Sequence, residues 1–264
     1  MEVIICPVVE KVGQVAAAKV AKIAATVGPG VVLGVATGSS PLSTYEGLAG
    51  MLAAGELDLS QATAFALDEY VGLPLGHPES YHEVIRRTVT EPLGLDPSRV
   101  FVPDGDMAGL MTAGERYEKA IAEAGGVDVQ ILGIGANGHI GFNEPISSLT
   151  SRTRVKTLTE RTRADNARFF NSLDDVPRHC VTQGLGTIMA ARHVVLVATG
   201  EAKADAMAAV IEGPVTAMCP GSVLQFHQFA TVVIDEAAAR HLKLADYYRQ
   251  VYASLPAWQR LELQ

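Results

Sequence analysis

Short runs of β-branched and apolar residues recur along this chain, separated by longer stretches in which apolar positions fall three or four residues apart. EVIIC, VVLGVA, TAFAL, VFVP, VDVQILGI, HVVLVAT and TVVIDE read as strands. They are apolar at nearly every position rather than at alternate ones, which predicts burial of both faces. Between several of them, EKVGQVAAAKVAKIAATVG, PLSTYEGLAGMLAAG, AGERYEKAIAEAG and EAKADAMAAVIEG read as helices. In the first of these, Val12, Ala16, Val20, Ile23 and Val27 recur at the spacing of one buried helix face. The alternation predicts an α/β fold, a mainly parallel sheet with helices on both faces. No low-complexity linker or internal repeat divides residues 1–264, so one domain is expected. Glu144–Thr162 shows little periodicity and is expected to form an irregular excursion, a kind of loop that is usually functional.

Composition narrows the partners. A formal charge of −8 argues against a general nucleic-acid binder. The three cysteines, Cys6, Cys180 and Cys219, show no zinc or C-x-x-C spacing and suggest free thiols. The opening MEVIICPVVEKVG has an early acid and a short apolar run, unlike a signal peptide. No run approaches the roughly 18 apolar residues of a membrane span. The expectation is a cytoplasmic protein with no nucleic-acid or membrane partner.

In an open parallel sheet, ligands bind beyond the carboxyl ends of the strands. Three segments there carry chemistry. In ATGSSP, Thr37, Ser39 and Ser40 offer hydroxyls and Gly38 permits close backbone approach, just where a helix N-terminus would favour an anion. Ordinary capping by Ser39 or Ser40 is the plainer alternative. In FALDEY, Asp68 and Glu69 end an apolar strand, and on extended chain only one of them faces a pocket. Partial desolvation would raise that carboxylate toward the range of a general base; a solvated turn or cap is the alternative. His77 and His82 have no spacing suited to a metal, and none is expected.

The third segment, GIGANGHIGFNEP, contains a literal G-x-G-x-x-G. A dinucleotide loop would open a helix at the third glycine and place an acid about 20 residues on. Here His139 and Pro145 follow instead, and the later chain is basic. His139 suits acid/base work near neutral pH, with Glu144 to polarise it and Asn137 to bind a substrate hydroxyl; a packed loop histidine is the alternative. Downstream, Arg152, Arg154, Lys156, Arg161, Arg163 and Arg168 face two acids, Glu160 and Asp165. Such an island suggests phosphate recognition or a charged, even intersubunit, surface. Lys203 adds a cation after HVVLVAT.

With these residues assembled, the chain resembles the glucosamine-6-phosphate deaminase (isomerase) family. The resemblance is carried by TGSSPLSTY, LDEYVGLPLGHPESY, LGIGANGHIGFNEP, SSLTSRTRVKTLTERTRADNARFF and VTQGLGTIMAARHVVLVATGEAKA, in that order. It implies a modified Rossmann-like fold and conversion of glucosamine 6-phosphate to fructose 6-phosphate and ammonia in amino-sugar catabolism, with no cofactor and no metal. It also implies a hydrolase acting on an amino sugar phosphate. By the same resemblance Asp68 moves a proton between C2 and C1, and His139 opens the ring with help from Glu144. The phosphate would lie on Thr37, Gly38, Ser39 and Ser40, with Arg168 and Lys203. Where the family carries Asp, position 137 is Asn, leaving Glu144 as the acidic partner of His139 in this segment. Ser147, Arg154 and Lys156 match positions at which hexameric members bind the activator N-acetylglucosamine 6-phosphate, which permits a homo-oligomer. The chain end, DYYRQVYASLPAWQRLELQ, resembles the family much less. A 6-phosphogluconolactonase-like enzyme and a sugar-phosphate-sensing domain are the competing expectations; Asp68 and His139 together favour catalysis.

Overall fold

The computed structural model describes residues 1–74 and 76–261. Leu75, inside the quoted LDEYVGLPLGHPESY, and residues 262–264 of the chain end lie outside the described residues. The strands are β1 (Glu2–Cys6), β2 (Val32–Val35), β3 (Thr63–Ala66), β4 (Asp68–Tyr70), β5 (Val100–Phe101), β6 (Val129–Leu132), β7 (Arg154–Thr157), β8 (His179–Thr182), β9 (His193–Ala198) and β10 (Ala230–Asp235). The helices are α1 (Val9–Val27), α2 (Ser39–Ala53), α3 (Tyr81–Ile85), α4 (Leu110–Glu123), α5 (Glu160–Asn166), α6 (Leu185–Met189), α7 (Ala204–Ile211), α8 (Glu236–Ala239) and α9 (Ala245–Ala253).

Each of the apolar runs contributes a strand to one parallel sheet, ordered β1-β10-β9-β6-β2-β3-β5. Burial of both faces explains why they lack alternation. On one side Leu132, Leu196 and Val232 pack with Ile121, Ile188 and Val210 of α4, α6 and α7. On the other, Ile131, Val195 and Val233 pack with Val12, Ala16 and Val20 of α1 and Leu48 of α2. From β2 the chain winds outward through β3 and β5, then returns to place β6 on the opposite side of β2. The reversal opens a crevice beyond the ends of β2 and β6, the position where such sheets bind ligands.

A second, antiparallel sheet, β4-β8-β7, was not foreseen. It corrects the expectation for Glu144–Thr162, since that segment supplies β7 and the first turn of α5. The DEY, RVKT and HCVT segments are short and interrupted by polar or charged residues, so they give no apolar run. Chain passes from the large sheet to the small one at Leu67, whose carbonyl accepts from the Gln183 backbone N–H at 2.7 Å. Asp68 is the first residue past that seam.

Helix α2 is held close to α1 by glycines. A Cβ on Gly13 would come within 2.5 Å of the Ser43 Cβ, and one on Gly47 within 2.7 Å of the Ala17 Cβ. The buried Tyr45 hydroxyl donates to the Ala36 carbonyl at 2.8 Å and accepts from its N–H at 2.9 Å. The helix is thereby pinned to the end of β2, and its N-terminus has a fixed position over the crevice.

Candidate active site

One cavity of about 540 Å³ occupies the crevice. Thr37, Gly38, Ser39, Ser40, Asp68, His139, Arg168 and Lys203 all line it. At one end is the N-terminus of α2. Gly38 is its N-cap, at φ +102°, and no side chain caps the helix. Ser39 and Ser40 therefore lie inside the first turn and do not spend their hydroxyls on capping. Free N–H groups, hydroxyls and the positive end of a 15-residue helix make this end a cradle for an anion. Lys203 approaches from the end of β9, its Nζ donating to the Ile134 carbonyl at 2.7 Å. Burial, with Arg168 nearby, lowers its pKa, while Asp165 opposes the shift. Arg168 stacks its guanidinium 4.7 Å from the centre of the Phe169 ring. Of the six basic residues in the island, Arg168 alone lines the cavity. Arg163 is buried against the Val176 and Leu173 carbonyls, and Arg152 pairs with Glu118. Those two serve the fold.

Toward the other end lies Asp68, 5% exposed. Burial, reinforced by the neighbouring Glu69 carboxylate, pushes its pKa up to about 8 from the ordinary 3.8; bonds from the Thr182 side chain and the Phe142 backbone pull the other way. Thr182 Oγ1 is 3.5 Å from Asp68 Oδ2 and accepts from the Phe142 N–H at 3.1 Å. Glu69 turns away, as strand geometry requires. Its oxygens accept from the N–H groups of Tyr70, Tyr81 and His82, at 2.7, 2.8 and 2.8 Å, which fixes the start of α3.

The glycine-rich segment forms the floor. Gly138, at φ +81°, closes a turn by donating to the Gly135 carbonyl at 3.0 Å, and Gly135 donates to the His139 carbonyl at 2.9 Å. A Cβ on Gly135 would lie 2.1 Å from His139 Cε1. That glycine is needed because the imidazole lies over its Cα, and no helix opens here. His139 Nδ1 is 2.7 Å from Asn137 Oδ1, while Asn137 Nδ2 donates to Glu144 Oε2 at 2.8 Å. A carboxylate only accepts, so the amide nitrogen must face Glu144 and its oxygen must face His139. The imidazole thus carries its proton on Nδ1 and presents Nε2 as an acceptor. Glu144 Oε2 is 3.7 Å from His139 Nδ1, beyond a direct hydrogen bond. The expected direct Glu144–His139 pair is therefore replaced by an amide bridge. Glu144 Oε1 in turn accepts from the Thr159 and Thr162 hydroxyls. Burial lowers the His139 pKa, opposed by Glu144, so the ring is neutral at pH 7.

Ser147, Arg154 and Lys156 do not reach the cavity. The Ser147 hydroxyl is buried, Arg154 donates to Asn143 Oδ1 at 2.8 Å, and Arg154 and Lys156 share one face of β7. Sequence reasoning passed over Thr182, Tyr70, Tyr81 and Asn166. The last three line the cavity, and all four lie inside the quoted motifs.

Fold and site define a class: an α/β protein whose sheet reversal sets an anion cradle beside a buried carboxylate and a neutral histidine, fitted to acid/base chemistry on a small phosphorylated substrate. Within that class, the chain belongs to the family described as glucosamine-6-phosphate isomerases/6-phosphogluconolactonase, which matches residues 7–233. It is 58% identical over 260 residues to a glucosamine-6-phosphate deaminase of Streptomyces coelicolor, covering 98% of this chain and 99% of that one. Its identity to a glucosamine-6-phosphate deaminase of Cutibacterium acnes is 61% over 249 residues, 94% of this chain and 95% of the other. A solved structure described as a monomeric glucosamine-6-phosphate deaminase matches at TM-score 0.88 and 40% identity, over 91% of this chain and 100% of that chain. A 6-phosphogluconolactonase from Trypanosoma brucei, at TM-score 0.73 and 19% identity over 91% and 98%, shares the fold alone. These findings correct the hydrolase expectation: the relatives are deaminases within a family of isomerases, so the class is isomerase and deaminase. The solved relative is described as monomeric and lends no support to a homo-oligomer. Among the described residues no helix is long and apolar enough to cross a membrane.

Proposed function

We propose that this chain converts glucosamine 6-phosphate to fructose 6-phosphate and ammonia in amino-sugar catabolism. The carrying observation is one cavity that joins an anion cradle to a buried carboxylate and an imidazole with a free Nε2. With the phosphate on Thr37–Ser40, Arg168 and Lys203, the sugar extends toward Asp68 and His139. His139 Nε2 takes the C1 hydroxyl proton and returns it to the ring oxygen, opening the ring; Asn137 and Glu144 hold the imidazole in the required tautomer. Asp68, ionised, removes the C2 proton and delivers it to C1 through an enolamine. Its raised pKa makes it a strong enough base, and the substrate's own C2 ammonium favours the charged form. Water then supplies the C2 carbonyl oxygen as ammonia departs. Binding energy from the distant phosphate positions the reacting carbons.

The buried free thiols Cys6, Cys180 and Cys219 support a cytoplasmic setting. Activation at Ser147, Arg154 and Lys156 within a homo-oligomer is a separate proposal, supported by a buried Ser147 hydroxyl without a partner among the described residues. The deciding experiment for the main reading supplies glucosamine 6-phosphate or 6-phosphogluconolactone to the pure protein. Ammonia and fructose 6-phosphate in equal amounts are expected from the first. Lactone opening without ammonia release would overturn it.

A further inference from the structure

Asn143, within the GFNEP stretch, takes no part in the chemistry above, yet it is fully buried and its amide is engaged on every side. A guanidinium only donates, so the Arg154 Nη1 contact at 2.8 Å fixes Asn143 Oδ1 on that side and turns Nδ2 the other way. Nδ2 then donates to the Ile140 carbonyl at 3.0 Å and to the Gln183 carbonyl at 2.8 Å. Two amide protons meet two carbonyls, and none is left over.

Those two acceptors belong to the two halves of the acid/base machinery. Ile140 follows His139, and its carbonyl also accepts from the Asn143 backbone N–H at 3.2 Å, which closes the turn after the imidazole. Gln183 follows Thr182 at the end of β8, and its own N–H donates to the carbonyl of Leu67, the residue before Asp68, at 2.7 Å. One amide thus ties the neighbour of His139 to the peptide that holds the neighbour of Asp68. Gly141 lies between them: a Cβ there, at φ +54°, would sit 3.5 Å from Asn143 Nδ2 and 3.5 Å from Asp68 Oδ2. None of these bonds touches the anion cradle, which rides on β2 and α2.

We propose that Asn143 is a positioning residue that clamps the His139 loop to the Asp68 strand across the seam between the two sheets, setting the spacing of the two groups that act on one sugar. The inference rests on reading this cavity as the glucosamine 6-phosphate site. Asn143→Ala removes the three side-chain bonds without adding charge near Asp68. A misplacement of about 1 Å costs on the order of 100-fold, so kcat well below the melting temperature is expected to fall about 10- to 100-fold. Kd for inorganic phosphate should stay within about twofold, because the cradle keeps its own supports. A general loosening of the fold would instead weaken phosphate binding together with turnover. A kcat within about threefold of wild type, or a phosphate Kd that rises in step with the loss of kcat, would overturn the clamp. Should Asn143→Ala fail to fold, Arg154→Met removes one of the three bonds and decides the matter without added N-acetylglucosamine 6-phosphate. Its kcat should fall about 3- to 10-fold at unchanged phosphate Kd, and an unchanged kcat or a weakened phosphate site would overturn the proposal. A wild-type protein that binds phosphate yet releases no ammonia would sink the functional reading alone. The clamp is then read from the His139 imidazole Cε1–H resonance in the same variants: it should shift, and an unmoved resonance would overturn the clamp.

Discussion

Replacing Asn137 by Asp tests the amide bridge. The side chains are nearly isosteric, so the perturbation is chemical: an N–H donor 2.8 Å from Glu144 Oε2 becomes a carboxylate oxygen. Two unit charges at that distance repel by about 6 kcal/mol at an effective dielectric of 20, and by about 4 kcal/mol if they relax to 4 Å. The pair can avoid this by retaining one proton. Holding a proton on a carboxyl of ordinary pKa near 4.3 costs about 3.7 kcal/mol at pH 7, at roughly 1.4 kcal/mol per pH unit. A regained charge-assisted hydrogen bond returns about 1.5–2 kcal/mol. The net loss is then about 2 kcal/mol at pH 7. It should be near zero below the unfolded carboxyl pKa and grow as pH rises toward the raised folded value. In a chain of this size it corresponds to a Tm difference of about 4–8 °C at pH 7. Melting curves of wild type and Asn137→Asp at pH 5, 6, 7 and 8 measure it. The Asn137→Asp/Glu144→Gln double variant reverses the bridge and should recover most of the loss. A Tm difference that does not change with pH, or a double variant less stable than the single, would refute the bridging geometry.

Further outcomes follow from the cavity and from the Ser147 region outside it. Asp68→Asn should abolish solvent exchange of the C2 proton while inorganic phosphate still binds; exchange at the wild-type rate would remove Asp68 from the mechanism. Because burial lifts the Asp68 pKa from 3.8 to about 8, wild-type kcat/KM should rise with pH toward a plateau above about 8. The stability this group contributes should be complete below about 3.8 and lost as pH rises through about 8, a slope that Asp68→Asn removes. Gly135→Ala places a methyl 2.1 Å from the imidazole without needing a left-handed backbone, so kcat should fall on the order of 100-fold with the fold retained. Addition of N-acetylglucosamine 6-phosphate at low substrate should accelerate turnover if Ser147, Arg154 and Lys156 form an activator site; unchanged rates would set that role aside.

How far the sequence could be read depended on burial. The strands of the large sheet are apolar on both faces, so VDVQILGI and HVVLVAT announce themselves. Strand β7 shows a partly buried and exposed alternation at Arg154, Val155, Lys156 and Thr157, and charged residues at its inner positions hid it. Asp68, His139 and the hydroxyl cradle were legible because each lies in the segment that follows an apolar strand. The Asn166–Tyr70 bond joins residues 96 positions apart, and no local pattern reports such a pairing. Asn137 was visible as a departure from Asp, but its two-sided role depends on Glu144 lying within reach, which only the folded turn provides.

The seam at Leu67 has a consequence for how such a site changes over evolutionary time. The cradle and His139 follow strands of the large sheet, while Asp68 belongs to the small one, beside Thr182 of β8. Mutations that tilt or resurface the small sheet can therefore replace the reaction while the anion cradle stays where it was. A family whose description spans isomerases and a lactonase is what such modular divergence would leave behind.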